Sequence, residues 1–185
     1  MLARMKNMNR FSALSVLSVC VLVASATAAK TPKPAPVDVT FKTSDGTDAG
    51  TAHLVQKGNN VEVKLKLMNL PAGIHGIHVH AKAACDAPDF KTAGGHFNPT
   101  GKQHGFKNPQ GHHAGDIPDN LEIGLDHTLH TSETLKDVSL DPAAPNSLTA
   151  NGGTSIIIHQ KEDDGMTDPS GNSGNRIACG VIAGR

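Results

Sequence analysis

The chain has 185 residues, with 17 basic and 17 acidic side chains, 11 His, no Trp and no Tyr. The length suits one ordinary domain with appendages, and zero formal charge argues against a general nucleic-acid binder, which is normally basic. Hydrophobic content of 37% leaves out the 19 Gly, so composition gives no sign of disorder, and the density of imidazole points to metal ligation.

The N-terminal stretch reads as an export signal over residues 1–29. Arg4, Lys6 and Arg10 form a basic head, Phe11–Val23 is an apolar run, and Ala24–Ala29 is a small-residue stretch with cleavage expected near Ala28 or Ala29. The apolar run is shorter than the ~20 residues a membrane span needs and is broken by serines, so the mature protein is expected to have no membrane span. Three of the 17 basic residues and none of the 17 acids lie in this leader, which leaves the remainder at −3. Residues 30–36 read as an extended Pro-rich spacer. Of the 3 Cys, Cys85 and Cys179 lie beyond the leader. In an oxidising compartment a single disulfide is the economical reading.

Residues 37–185 read as short strands joined by long loops. Val37, Val39 and Phe41 alternate with polar residues, as do Val61, Val63, Leu65 and Leu67, which marks strands with one buried face. Thr51–Lys57, Gly73–His80, Asn120–Leu125, Thr128–Thr131, Thr154–Gln160 and Ile177–Ile182 complete the set. No segment sustains a helical apolar period, so the pattern predicts an antiparallel sandwich or flattened barrel. Two stretches, 81–119 and 161–175, are too rich in Gly, Pro, Asn and Asp to be strands, and loops of that length in a compact domain are usually functional.

The histidines sort by position. His78 and His80 stand two apart on one strand and share a face, so both imidazoles can reach one ion. His159 ends a second strand, and imidazole nitrogen suits copper or zinc. In the first long loop sit His96, His104, His112, His113 and Asp116, and histidine with carboxylate is an acceptable zinc shell. Spacing alone therefore predicts two metals, one on the strand histidines and one on the loop. Isolated histidines such as His53, His127 and His130 read as surface residues.

In order along the chain stand Gly73-Ile74-His75-Gly76-Ile77-His78-Val79-His80, Gly94-Gly95-His96-Phe97-Asn98-Pro99, His104-Gly105 and His113-Ala114-Gly115-Asp116. They are followed by His159 with Asp163-Asp164, and by Gly171-Asn172-Ser173-Gly174-Asn175-Arg176-Ile177-Ala178-Cys179-Gly180. This series closely resembles copper/zinc superoxide dismutase, and the leader resembles that of its bacterial periplasmic branch.

The resemblance implies an all-β, eight-stranded antiparallel Greek-key barrel with two long functional loops. It implies copper on His78, His80, His96 and His159, and zinc on His96, His104, His113 and Asp116, with His96 as the shared ligand. Asp163 would link a copper histidine to a zinc histidine, Arg176 would stand beside copper, and Cys85 and Cys179 would form the family disulfide. His75 would be structural. The implied substrate is superoxide, turned over by Cu(II)/Cu(I) cycling to O2 and hydrogen peroxide in the periplasm, with monomer and homodimer both open. An anion approaching an acidic protein needs a local positive field, for which Arg176 and, more weakly, Lys161 are the candidates.

The sequence departs from the family pattern at Ala81–Ala84, where many members carry acidic or Gly residues, and at Ile77, where Phe is common. Two other readings stand beside the first. A non-catalytic copper/zinc-binding protein on the same fold normally lacks the bridging histidine or the arginine, and both are present here. A zinc hydrolase on His113 and Asp116 needs an open metal position, which four protein ligands do not leave.

Overall fold

The computed structural model describes residues 32–185, so the expected export signal and Cys20 lie outside the described residues. Nine strands make up the fold among these residues: β1 Val37–Thr43, β2 Asp48–Lys57, β3 Asn60–Leu67, β4 Gly73–His75, β5 Ile77–His80, β6 Leu121–Ile123, β7 Leu129–Leu135, β8 Gly153–His159 and β9 Arg176–Ala183. The one helical element among the described residues is a 3-10 turn at Lys91–Ala93. No helix among the described residues is long and apolar enough to cross a membrane.

Every strand pairing is antiparallel. Seven strands form one sheet in the order β5-β8-β9-β1-β2-β3-β7, and β4 pairs with β6 separately. Because β4 runs straight into β5 and β6 turns into β7, the β4–β6 pair draws the two edges of the large sheet together. The sheet is thus curled on itself, which removes the exposed edges an open sheet would carry.

The strand count differs from the eight expected for one reason. Gly73–His80 is not continuous: the chain breaks at Gly76, whose amide donates to Lys161 O and whose carbonyl accepts from His159 N. Counting β4 and β5 as one strand recovers eight. Other ends shift by a few residues, most at β7, which extends to Leu135.

Alternation decides which side chains enter the core. Val37, Val39 and Phe41 of β1, Ala52 and Leu54 of β2, and Val61, Val63, Leu65 and Leu67 of β3 are buried. They pack with Ile77, Val79, Leu121, Ile123, Ile156, Ile158 and Ile182. Strand β8 is buried along its whole length. Its run Ile156-Ile157-Ile158 is apolar on both faces because Ile156 and Ile158 face this core while Ile157 joins a second cluster with Phe90, Ala93 and Cys179. The first long loop therefore folds back over the outer face of β8, which is where the histidines of β5 also point.

Candidate metal centre

Strand β5 lies between β8 on one side and the first long loop on the other. Its outward residues His78 and His80 are buried, with Val79 in the core between them. The loop is pinned to β5 by backbone bonds: Phe97 N donates to Val79 O and Val79 N to Gly115 O, each at 2.8 Å. His80 faces His96 and His78 faces Asp116 as isolated antiparallel bridges. Gly115 permits this approach, since a Cβ there would collide with Val79 O. Ladder geometry thus delivers the loop's ligands beside the strand's.

Two groups of four result, and each fits one ion. In the first, His78, His80, His96 and His159, one nitrogen per ring lies within 4.8 Å of the others. Those nitrogens are His78 Nδ1 and the Nε2 atoms of His80, His96 and His159, and all four are buried with no hydrogen-bond partner. A buried polar atom left unpaired is costly, and four aimed at one point make a cation-binding cage of imidazole, the donor type that suits copper. The opposite nitrogen of three of these rings is held: His78 Nε2 on Asp163 Oδ2 at 2.8 Å, His80 Nδ1 on Gly94 O at 2.9 Å and His159 Nδ1 on Gly174 O at 3.4 Å. Such bonds fix ring orientation and leave the free nitrogen as a lone-pair donor.

The second group is His96, His104, His113 and Asp116. Asp116 Oδ1 lies 2.8 Å from His96 Nδ1, 3.1 Å from His104 Nδ1 and 3.2 Å from His113 Nδ1. Tetrahedral ligands at the usual zinc distances stand about 3.3 Å apart, so this packing fits zinc. The other oxygen, Oδ2, accepts from the backbone amides of Gly105 and His113. His96 belongs to both groups, with Nδ1 turned to the second and Nε2 to the first.

Electrostatics follow from burial and carboxylates. Burial holds His80 and His159 far below the ordinary histidine value, to about 2, with neighbouring histidines adding to the effect. Burial also lowers His96, to about 4, against the pull of Asp116. His104 is the opposite case: burial disfavours its charge, but hydrogen bonds to Asp116 and Asp163 outweigh it and raise the group to about 9. Asp116 and Asp163 are held well below the usual carboxylate range; burial opposes this, and bonds from the histidines overcome it.

Asp163 is the tie between the groups. Its Oδ2 takes His78 and its Oδ1 takes His104 Nε2 at 3.0 Å. Gly171 closes over it with φ +62, and a Cβ there would run into the carboxylate. Asn120 grips the Asp163 backbone from both sides, donating from Nδ2 to Asp163 O at 2.9 Å and accepting from Asp163 N at 2.8 Å. Sequence reasoning missed Asn120. Its position just before β6 and shortly after Asp116 was the available signal.

Above the first group lies a cavity of about 180 Å³ lined by His80, His96, His159, Pro169, Ser170 and Arg176. Arg176 donates from Nη1 to Phe90 O at 2.6 Å and from Nη2 to Gly94 O at 2.7 Å. Among the described residues no carboxylate lies within ion-pair distance of it, and Asp89 acts on its charge from farther away. Lys161 lines a separate depression with Ile74, Glu162 and Asp164. Cys85 and Cys179 form a disulfide with Cα atoms 5.6 Å apart. Ala81 and Lys82 are held by backbone bonds to Gly95 and Ala93, so the Ala81–Ala84 turn seats His80 without an acidic residue.

Four of the five remaining histidines have other partners. His75 sets Nδ1 against His159 O and Nε2 against Pro71 O. His112 stacks on Phe106, His53 pairs with Asp38, and His127 bonds Leu70 O.

A family model described as copper/zinc superoxide dismutase matches residues 48–182. The chain is 44% identical over 138 residues to superoxide dismutase [Cu-Zn] 1 of Aquifex aeolicus, covering 74% of this chain and 81% of that one. It is 39% identical over 144 residues to superoxide dismutase [Cu-Zn] of Caulobacter vibrioides, covering 76% and 82%. Among solved structures, a SOD-like protein from Bacillus subtilis superposes with a TM-score of 0.75 at 38% identity, over 78% of this chain and 97% of that one.

Proposed function

The chain belongs to the copper/zinc superoxide dismutase family, and from that membership we propose that it dismutes superoxide with copper on His78, His80, His96 and His159 and zinc on His96, His104, His113 and Asp116. The observation that carries this reading is the set of four buried, partnerless ring nitrogens beneath a cavity that Arg176 also lines.

When bound, copper supplies the electron relay between Cu(II) and Cu(I), by which one superoxide leaves as O2 and a second, with two protons, as hydrogen peroxide, while redox-silent zinc supplies fixed charge. The chain's own residues do the rest. Arg176 receives the anion: its guanidinium is planar, permanently charged and already anchored on two carbonyls, so little order is lost when substrate arrives. His96 holds and returns a proton at Nε2, while Asp116 and its neighbours fix Nδ1 on the zinc side. Asp163 keeps the His78 and His104 rings in register. The small cavity and the two loops limit access to small anions.

The basic head, apolar run and small-residue stretch of residues 1–29 support export to the periplasm, where the disulfide would persist. Copper and zinc content of the mature protein, measured with its dismutase rate and with a His96→Ala variant, tests the reading. Both metals near stoichiometry, with turnover lost in the variant, is the expected result. Stoichiometric copper without turnover in the parent would favour a non-catalytic metal-binding protein, and full activity in His96→Ala would end the bridged two-metal reading.

A further inference from the structure

The segment 86–91 lies between the disulfide cysteine and the second group's loop, and Phe90 has an unusual position in it. Its φ is 52° and ψ 25°, left-handed backbone that non-glycine residues adopt seldom and bulky ones more seldom. Glycine would adopt this conformation with less strain. The residue is only 1% exposed and is packed with Ala93, Ile157, Cys179 and Cys85. Its carbonyl oxygen accepts from Arg176 Nη1 at 2.6 Å and from Ala93 N at 3.1 Å.

These facts join at one strand. The ring packs against Cys179 in β9, and the carbonyl holds Arg176, the first residue of the same strand. Ring and carbonyl grip β9 three residues apart. The left-handed turn at Phe90 is what lets one residue send its ring inward and its carbonyl to the guanidinium. The second carbonyl on Arg176, that of Gly94, also carries His80 and is tied to the metal ligands. Phe90 supplies the grip that does not depend on the ligands.

We propose that Phe90 is a positioning residue for Arg176: the buried ring fixes the left-handed turn, and the turn aims the carbonyl that holds the guanidinium over the cavity. The proposal rests on the reading that Arg176 receives the anion. An aromatic ring that only fills space would affect stability and leave anion affinity alone.

The test is azide binding to the copper- and zinc-loaded protein, followed by its charge-transfer absorption, for the parent, Phe90→Ala, Phe90→Leu, Arg176→Ala and Phe90→Ala with Arg176→Ala. Loss of a fixed charge beside the bound anion should weaken azide about tenfold in Arg176→Ala. Phe90→Ala should weaken it about fivefold, Phe90→Leu should restore most of that by refilling the pocket, and the double variant should bind no more weakly than Arg176→Ala, because residues acting through one contact are not additive. Parent affinity in Phe90→Ala overturns the proposal, as does full additivity in the double variant. If Phe90→Ala does not fold, Phe90→Gly carries the same comparison on a backbone suited to positive φ. If Arg176→Ala binds azide as the parent does, the anion role of Arg176 fails and the proposal falls with it. Dismutase turnover in the parent is read separately and reports on the activity assignment alone.

Discussion

His80 and Arg176 hang from the same atom: the Gly94 carbonyl accepts from His80 Nδ1 at 2.9 Å and from Arg176 Nη2 at 2.7 Å. One copper ligand and the residue that receives the anion are thereby held at a fixed offset. Burial lowers the guanidinium's pKa, with Asp89 pulling the other way, but an arginine stays charged under all working conditions.

Neutralising Arg176 should therefore reduce capture without disturbing the metals. For Arg176→Ala we expect kcat/KM for superoxide to fall about tenfold, with unchanged copper and zinc content and a shallower dependence on ionic strength. Arg176→Lys should recover part of the rate, because lysine restores the charge but not the two-pronged anchor. Rates measured from low to high salt by pulse radiolysis decide it: coincident rates and slopes for parent and Arg176→Ala would exclude a steering role.

Asn120 touches no predicted ligand, yet it holds the backbone of the residue that orients His78 and His104. Asn120→Ala should lower metal affinity by about tenfold, the scale seen when an outer partner of a metal ligand is lost. Asp163→Ala should do at least as much. Competition with a chromogenic chelator measures both, and an Asn120→Ala protein that retains metal as tightly as the parent would show that Asp163 is held well enough by its other contacts.

The strands were legible because period-2 alternation is a direct consequence of one buried face, and Val37–Phe41 and Val61–Leu67 appear where that pattern lies. Gly76 was not legible as a break, since the partners that interrupt the ladder, Lys161 and His159, lie more than eighty residues away. The ligands could be proposed from His78-Val79-His80 and His113–Asp116, but which ring nitrogen each presents depends on carbonyls such as Gly94 and Gly174 that carry no sequence signal. The same holds for the acceptors of Arg176. Lys161, expected from its place in the second loop as the weaker steering residue, lines another depression, and its stem runs beside Gly174 at the rim of the Arg176 cavity.

The Cys85–Cys179 bridge closes a loop with a sequence separation of 94. In the chain-entropy view a loop of this size stabilises by about 4.5 kcal/mol. The double variant Cys85→Ala with Cys179→Ala should lose roughly 2–5 kcal/mol, read as a lower urea midpoint with a steeper slope, because the denatured chain without the cross-link is less compact. Because Cys85 and Cys179 both pack with Phe90, azide affinity of the loaded variant should also weaken. A variant with parent midpoint would show that the first loop is held by the β5 ladder alone.

The metal-free protein should be acid-sensitive at a pH where carboxylates are still ionised. His80 and His159 are held to about 2 and His96 to about 4, chiefly by burial, while in the unfolded chain they titrate near 6.5. Below that value the unfolded state binds protons the folded state refuses, so stability falls as pH drops from about 6.5. His104 has the reverse sign: raised to about 9, it contributes stability that is full below 6.5 and lost as pH rises through 9. Asp116 and Asp163, held low by their histidine bonds, contribute stability above about pH 4 that disappears on further acidification. Three depressed histidines against one raised one place the maximum near neutrality. Thermal unfolding of chelator-treated protein should show a Tm lower by more than about 5 °C at pH 5 than at pH 7, and His80→Gln with His159→Gln should flatten that slope. An unchanged Tm between the two pH values would mean that the buried imidazoles of the metal-free protein reach solvent and take up protons while folded.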